Sequence, residues 1–246
     1  MKPLQISNDV TLCENAIFLQ KSKTLIISDL QLGYEQQLRA LGHNISYNQA
    51  KSMLELLETL IAQNGAKRLV INGDLKHEFG KINSQERHDI LGLLKRLKRR
   101  IEIIVVKGNH DTLTKQLIEE IDLKLYDEFE IDGYYCIHGH KLPEQTTSYK
   151  KSHTIIIGHT HPAITINDGI RKERYKCFMI GKYKKKQLIV LPSFSTIVEG
   201  TDILNSKNFS PLIESIESNE VYVIADIIRP FGTVKILRKL LNKLQH

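Results

Sequence analysis

Apolar runs that stop abruptly at a glycine or a polar side chain recur along this chain. Leu25-Ile26-Ile27-Ser28 runs into Asp29, and Leu69-Val70-Ile71-Asn72 runs into Gly73-Asp74. Ile103-Ile104-Val105-Val106 leads to Lys107-Gly108-Asn109-His110-Asp111, and Thr154-Ile155-Ile156-Ile157 leads to Gly158-His159-Thr160-His161. A looser copy, Tyr134-Tyr135-Cys136-Ile137, ends in His138-Gly139-His140. Runs this short and apolar read as buried strands. A polar side chain at a strand's carboxyl end sits where open α/β sheets place their sites.

Between these runs the apolar period changes to three-and-four. Met53, Leu54, Leu57, Leu60 and Ile61 predict a helix from about Tyr47 to Ala62. A second helix is predicted from Ser84, as N-cap, to Leu97, and a short one from Leu113 to Glu120. With strands at 67–72 and 101–106, the order is β-α-β-α-β, which implies parallel strands. Residues 1–20 read as short strands broken at Ser7-Asn8-Asp9 and Glu14-Asn15. Downstream, strand-like runs at 128–137, 154–157, 163–166, 175–181 and 187–191 are separated by turns, so a second, mostly antiparallel layer is expected. The chain closes with a strand, 221–227, and a basic amphipathic helix, Val234 to Leu244. Its apolar stripe is expected to pack inward, with pairing to a second copy as the alternative. No linker or repeat interrupts the pattern, so residues 1–246 are expected to form one domain.

Composition adds limits. No apolar stretch is long enough to span a bilayer and no leader pattern opens the chain, so no membrane association is expected. Cys13, Cys136 and Cys177 are far apart and in no zinc spacing. They read as buried small residues of a reducing cytoplasm. The net charge of +7 permits an anionic partner. Half of the positions from Arg171 to Lys186 are basic, interleaved with Tyr175, Phe178 and Tyr183. That stretch reads either as a solvated face or as a hairpin that meets nucleic acid. A second cluster, Lys95 to Arg100, suits a helix C-terminus.

Asp29, Asp74, Asn109, His138, His159 and His161 together supply carboxylate, amide and imidazole ligands. A centre of two divalent cations needs such a set, with one carboxylate able to bridge. Alternation along an extended segment would put the rings of His159 and His161 on one side. His43, His88, His153 and His246 read as structural.

These motifs resemble the calcineurin-like metallophosphoesterases, whose pattern is Asp-x-His, Gly-Asp, Gly-Asn-His-Asp/Glu, His and Gly-His-x-His. Gly73 to Phe79 and Leu191-Pro192-Ser193-Phe194-Ser195 are similar to the archaeal and bacterial phosphoesterases related to the SbcD-type nuclease, a group that includes ligase-associated DNA-repair phosphoesterases. The resemblance implies a four-layer α/β/β/α sandwich with two mixed sheets. It implies two divalent metal ions, Mn²⁺ first, with Mg²⁺, Fe or Zn²⁺ as alternatives. One would be held by Asp29, the residue at 31, Asp74 and His161, the other by Asp74, Asn109, His138 and His159. His110 would be catalytic beside the phosphate, and a metal-bridging hydroxide would attack phosphorus. His77 and His140 are candidates for substrate contact. Asp111 is expected either to orient His110 or to cap a helix starting at Thr112.

One departure stands out: where the pattern has Asp-x-His, this chain has Asp29-Leu30-Gln31. Gln31 offers an amide oxygen in place of an imidazole nitrogen, which favours hard ions and weakens the site. The expected function is a Mn²⁺-dependent phosphodiesterase or nuclease acting on nucleic acid, with DNA-repair proteins as the partners the resemblance implies. The alternatives are a small-molecule phosphatase or cyclic-nucleotide phosphodiesterase, and a nucleic-acid-binding module weakened by Gln31.

Overall fold

The alternation within each strand decides the layers. In a computed structural model that describes residues 1–45, 48–78, 80, 82–167 and 171–244, odd and even residues of one strand enter different cores. Leu25 and Ile27, Leu69 and Ile71, and Ile103 and Val105 face helices, while Ile26, Val70, Ile104 and Val106 face a second sheet. Residues two apart share a face, so each strand serves two cores and must be apolar throughout.

The first sheet is built from β1 (Leu4–Gln5), β2 (Val10–Cys13), β3 (Ala16–Leu19), β4 (Thr24–Ile27), β5 (Arg68–Asn72), β6 (Glu102–Val106) and β7 (Leu125–Tyr126), in that spatial order. The strands β4 to β7 are parallel and β1 to β4 antiparallel. The helices α1 (Tyr34–Ala40), α2 (Gln49–Asn64), α3 (Ser84–Lys98) and α4 (Thr114–Glu119) lie between these strands in the chain. Met53, Leu57 and Leu60 of α2, Ile90, Leu93, Leu94 and Leu97 of α3, and Leu117 and Ile118 of α4 bury against the outer face. Each such side chain contributes about 1.5–3 kcal/mol of burial. The cap of α3 is Asn83, whose Oδ1 accepts from the Glu86 amide at 2.8 Å. Ser84 is the first helical residue, because an Asn in extended backbone reaches the third amide equally well. The predicted start of α2 at Tyr47 and the motif residue Phe79 lie outside the described residues.

The second sheet contains β8 (Phe129–Ile131), β9 (Tyr134–Cys136), β10 (Thr154–Ile157), β11 (Pro162–Asn167), β12 (Lys172–Tyr183), β13 (Lys186–Val190) and β14 (Thr201–Asp202), with β15 (Glu220–Ile224) on β12 and β16 (Ile228–Thr233) on β15. The predicted run 128–137 is two strands folded at Asp132-Gly133, and the predicted 221–227 stops at Ile224 before a separate β16. The layer is mixed, because β10 runs parallel to both β9 and β13. On its outer face lie α5 (Thr147–Lys151) and α6 (Val234–Leu244), which contributes Val234 and Leu237 to the core. Ile236 and Leu240 of α6 are exposed, so only part of its apolar stripe packs inward. The layers are therefore α/β/β/α, as expected. Among the described residues no helix is long and apolar enough to cross a membrane.

Candidate metal centre

The carboxyl ends of β4, β5, β6, β9 and β10 open on one side of the sandwich, and the chain turns sharply as it leaves them. Asp29, Gln31, Asp74, His159 and His161 all have left-handed backbones, with φ of 58°, 53°, 50°, 61° and 47°. A non-glycine residue in this region costs about 1–2 kcal/mol, and such costs gather at functional sites. Pairing between the loops offsets it: the Asp29 amide donates to the Gly73 carbonyl and the Gln31 amide to the Asp74 carbonyl, both at 3.0 Å. His159 and His161 therefore reach the site through two tight turns, not along the extended segment expected from alternation.

Two glycines of the motifs are required by close approach. A Cβ on Gly108 would lie 2.2 Å from both the amide nitrogen and Oδ1 of Asp74, and one on Gly158 would lie 1.7 Å from Ser28 Oγ. Only a bare backbone lets these loops close around the carboxylates.

At the centre, ligand atoms of Asp29, Asp74 and His138, all buried, lie within 4.8 Å of one another. His138 Nε2 is 3.3 Å from Asp74 Oδ1, 3.8 Å from Asp29 Oδ1 and 3.0 Å from Asn109 Oδ1. Burial pushes the His138 imidazole down, but the Asp29 and Asp74 carboxylates outweigh it and pull it up to about 9. The Asp74 carboxyl, raised by burial, is lowered by more through His138 and His110. His161 Nε2 lies 2.8 Å from Asp29 Oδ1 and is buried, yet it has no hydrogen-bond partner among the described residues. A carboxylate and an imidazole held this close without hydrogen-bond geometry suit a shared cation. The mixed oxygen and nitrogen donors suit a divalent first-row ion.

The other predicted residues also gather here. The His159 amide donates to Asp29 Oδ2 at 3.1 Å, and its ring stands 5.2 Å from that of His138. The His110 amide donates to Asp74 Oδ1 at 3.0 Å, while its ring lies at the mouth with Nε2 3.7 Å from Asp74 Oδ2. Burial pushes the His110 imidazole down. Gln31 is buried, gives its amide N–H to Asp74 Oδ2 at 3.0 Å and meets His77 Nδ1 with its oxygen at 2.6 Å. His77 Nε2 lies 2.8 Å from Gln37 Oε1, so both ring nitrogens of His77 are engaged by glutamines. The His140 ring stands 5.5 Å from that of His138, and burial, then the His138 and His159 charges, push it down to about 4.

Asp111 takes neither of its expected roles. Its carboxylate accepts from the Gly108 amide at 2.8 Å and the Leu75 amide at 3.1 Å, so it ties the loops after β5 and β6 together. Helix α4 begins only at Thr114.

Sequence reasoning assigned no role to the residues that support this cluster, although Ser193 and Ser195 belong to a motif quoted above. Asn72 Nδ2 donates to the carbonyls of Ile137 and Ile156, at 3.0 and 3.1 Å, and so joins the two sheets directly beneath the site. Ser193 Oγ donates to the Asp29 carbonyl at 2.8 Å, and the Ser195 amide donates to the same oxygen. Lys176 in turn donates to the carbonyls of Ser193, at 2.9 Å, and Ser195. A polar residue inside an apolar run was the available signal for Asn72, whereas none marked Lys176.

The profile of the family described as calcineurin-like phosphoesterase matches residues 22–200. No curated protein sequence matches the chain. Among solved structures, the nuclease MPE of Pseudomonas putida superposes with a TM-score of 0.67 at 21% identity, covering 94% of this chain and 99% of its own, which shows a shared fold. YfcE, a phosphoesterase from E. coli, has 19% identity and a TM-score of 0.43, covering 85% of this chain and 98% of its own.

Proposed function

The chain belongs to the calcineurin-like phosphoesterases, and from that premise we propose that it is a Mn²⁺-dependent phosphodiesterase or nuclease acting on nucleic acid. The observation that carries the hydrolytic part is the buried Asp29, Asp74 and His138 cluster, with its ligand atoms within 4.8 Å of one another. Asp29, Asp74 and His161 would hold one divalent ion, which Gln31 would join only by turning its amide so that the oxygen now on His77 faces the centre, and Asp74, Asn109, His138 and His159 would hold the other. When bound, such ions supply Lewis-acid charge that lowers the pKa of water and neutralises phosphate oxygens.

The chain's own groups complete the site. Asp74 is held in place by the His110 amide and the Gln31 amide group, one on each carboxylate oxygen. Its orientation is thus set before any ligand arrives, which removes reorganisation from the barrier. His110, at the mouth, would sit beside the phosphate and give a hydrogen bond or a proton to the leaving oxygen. Arg174, on the site end of β12, supports the nucleic-acid part of the reading by placing a cation next to His161.

A second reading, a small-molecule phosphatase or cyclic-nucleotide phosphodiesterase, draws support from one observation. Lys184, Lys185 and Lys186 lie at the turn between β12 and β13, at the opposite end of those strands from the centre. Turnover of bis-p-nitrophenyl phosphate against the monoester, with Mn²⁺ added, tests the proposal. Diester turnover that needs Mn²⁺ and disappears in Asp74→Ala is expected. Turnover of the monoester alone would favour the second reading.

A further inference from the structure

The metal centre does not end at His161. A cavity of about 420 Å³ continues from it, lined by Tyr34 and Leu38 of α1, Arg174 of β12, and Val198 and Glu199 of the loop before β14. The loop is pinned against the centre: the Thr201 amide donates to the His161 carbonyl at 2.7 Å, and Gly200, with φ +95°, leaves no room for a side chain over that carbonyl. The floor of the cavity is therefore fixed relative to the metal ligands.

Its walls differ in chemistry. On one side the Tyr34 ring stands 4.3 Å, centroid to centroid, from His77, which is itself held by Gln31 and Gln37. With Leu38 and Val198 nearby, this wall offers an aromatic face and apolar contact. On the other side the Arg174 side chain is anchored by neutral acceptors, Thr165 Oγ1 and the Gly200 carbonyl, both at 3.2 Å. Its ionic neighbour is the exposed Glu199 carboxylate at 3.7 Å. A guanidinium has five N–H donors, so this arrangement fixes the plane of Arg174 and leaves donors for an anion. An aromatic face and an oriented arginine one cavity apart match a nucleoside bearing a phosphate.

We propose that this cavity is a subsite for the nucleotide next to the scissile phosphate, with its base against the wall of Tyr34, Leu38 and Val198 and its outer phosphate on Arg174. The proposal rests on the phosphodiesterase reading above and adds to it the substrate unit that the centre requires: two phosphates separated by one nucleoside. Glu199 opposes it, because its carboxylate competes with the phosphate for the same guanidinium.

The test compares KM for three substrates with Mn²⁺: the thymidine dinucleotide, the same dinucleotide with a 5′-phosphate, and with a 3′-phosphate. One terminal phosphate is expected to lower KM about ten-fold, as a charge-assisted contact should. In Arg174→Gln that advantage should vanish, in Glu199→Gln it should grow, and in Lys184→Gln, at the other end of β12, it should persist. Equal KM values for all three substrates, or an advantage that survives Arg174→Gln or is lost equally in Lys184→Gln, would overturn the subsite. If the natural protein turned over neither the dinucleotides nor bis-p-nitrophenyl phosphate, the parent reading would fail and the subsite with it. Turnover of bis-p-nitrophenyl phosphate without a phosphate preference would remove the subsite alone.

Discussion

The two ends of β12 carry similar charge and do different things. At the site end, Lys176 is half-buried, its ammonium donates to carbonyls of the 193–195 loop beneath Asp29, and Arg174 faces the cavity beside His161. At the other end, Lys184 lies over Tyr183 with Nζ 5.2 Å from the ring centroid, and Lys186 over Tyr149 at 4.8 Å. From Lys176 to Lys184 is roughly 25 Å of extended chain. What separates the ends is direction. Strands β10 and β13 run toward the metal centre, and β12, antiparallel to β13, passes it near Lys176 and runs away. A basic run in sequence is thus two patches in space, one joined to the centre and one remote from it.

The strongest way to break this contrast is to disable the centre itself and, separately, the remote patch. Asp74→Ala should lower diester turnover by about 1,000-fold or more, since the charge it positions accounts for several kcal/mol. Replacing Lys184, Lys185 and Lys186 together by Gln should leave small-diester turnover within about two-fold, because screening by solvent and salt removes effects across such distances. If the triple variant lost activity comparably, the remote patch would be part of the centre after all.

Next in size, Gly158→Ala should cut turnover about 10- to 100-fold and lower stability by about 1–3 kcal/mol. The added methyl would meet Ser28 Oγ at 1.7 Å and Asp29 Oδ2 at 2.3 Å, so the carboxylate must move. Urea unfolding together with diester kinetics measures both; unchanged values would mean that the loop yields instead.

Gln31→His should tighten Mn²⁺ binding about ten-fold by calorimetry, since an imidazole nitrogen replaces an amide. A loss of affinity would instead show that the amide's hydrogen bond to Asp74 matters more than a nitrogen donor. Turnover that appears only in this variant would identify the natural chain as a weakened, binding form of the centre.

The smallest effect on turnover belongs to Lys176, and its signature is in stability. Burial pushes its ammonium down to about 8, opposed by the Asp29 charge, from an ordinary 10.5. Between those values the unfolded chain holds more protons than the folded one, so stability rises with pH across the window. Compared with Lys176→Met, the natural protein should gain stability from about pH 8 to about pH 10.5 in chemical denaturation. Parallel curves would mean that Lys176 keeps its charge when folded.

How much of this was legible in the residues can be seen position by position. Strands at 154–157 and 102–106 and the helices α3 and α6 follow from local periodicity, because burial at period 2 or 3.6 is written in adjacent side chains. The polar residues that gather at the centre were legible for the same reason: each follows an apolar run directly. The turn at Asp132-Gly133 and helix α1 were not foreseen. The first is written in the Asp-Gly pair, a hairpin signal that was read through as part of one strand, and the second is short and half-exposed, with little period to detect.

By itself, then, the sequence determined the strands, their order and the set of side chains delivered to their ends, since these depend on neighbours in the chain. Tertiary structure alone decided the rest. It turned His159 back onto Asp29, 130 residues away, gave the Gln31 amide to Asp74, set Lys176 beneath Ser193, and divided one basic stretch between two ends of a sheet. These contacts join segments whose separation in sequence carries no periodic signal, and their geometry exists only once both sheets have packed face to face.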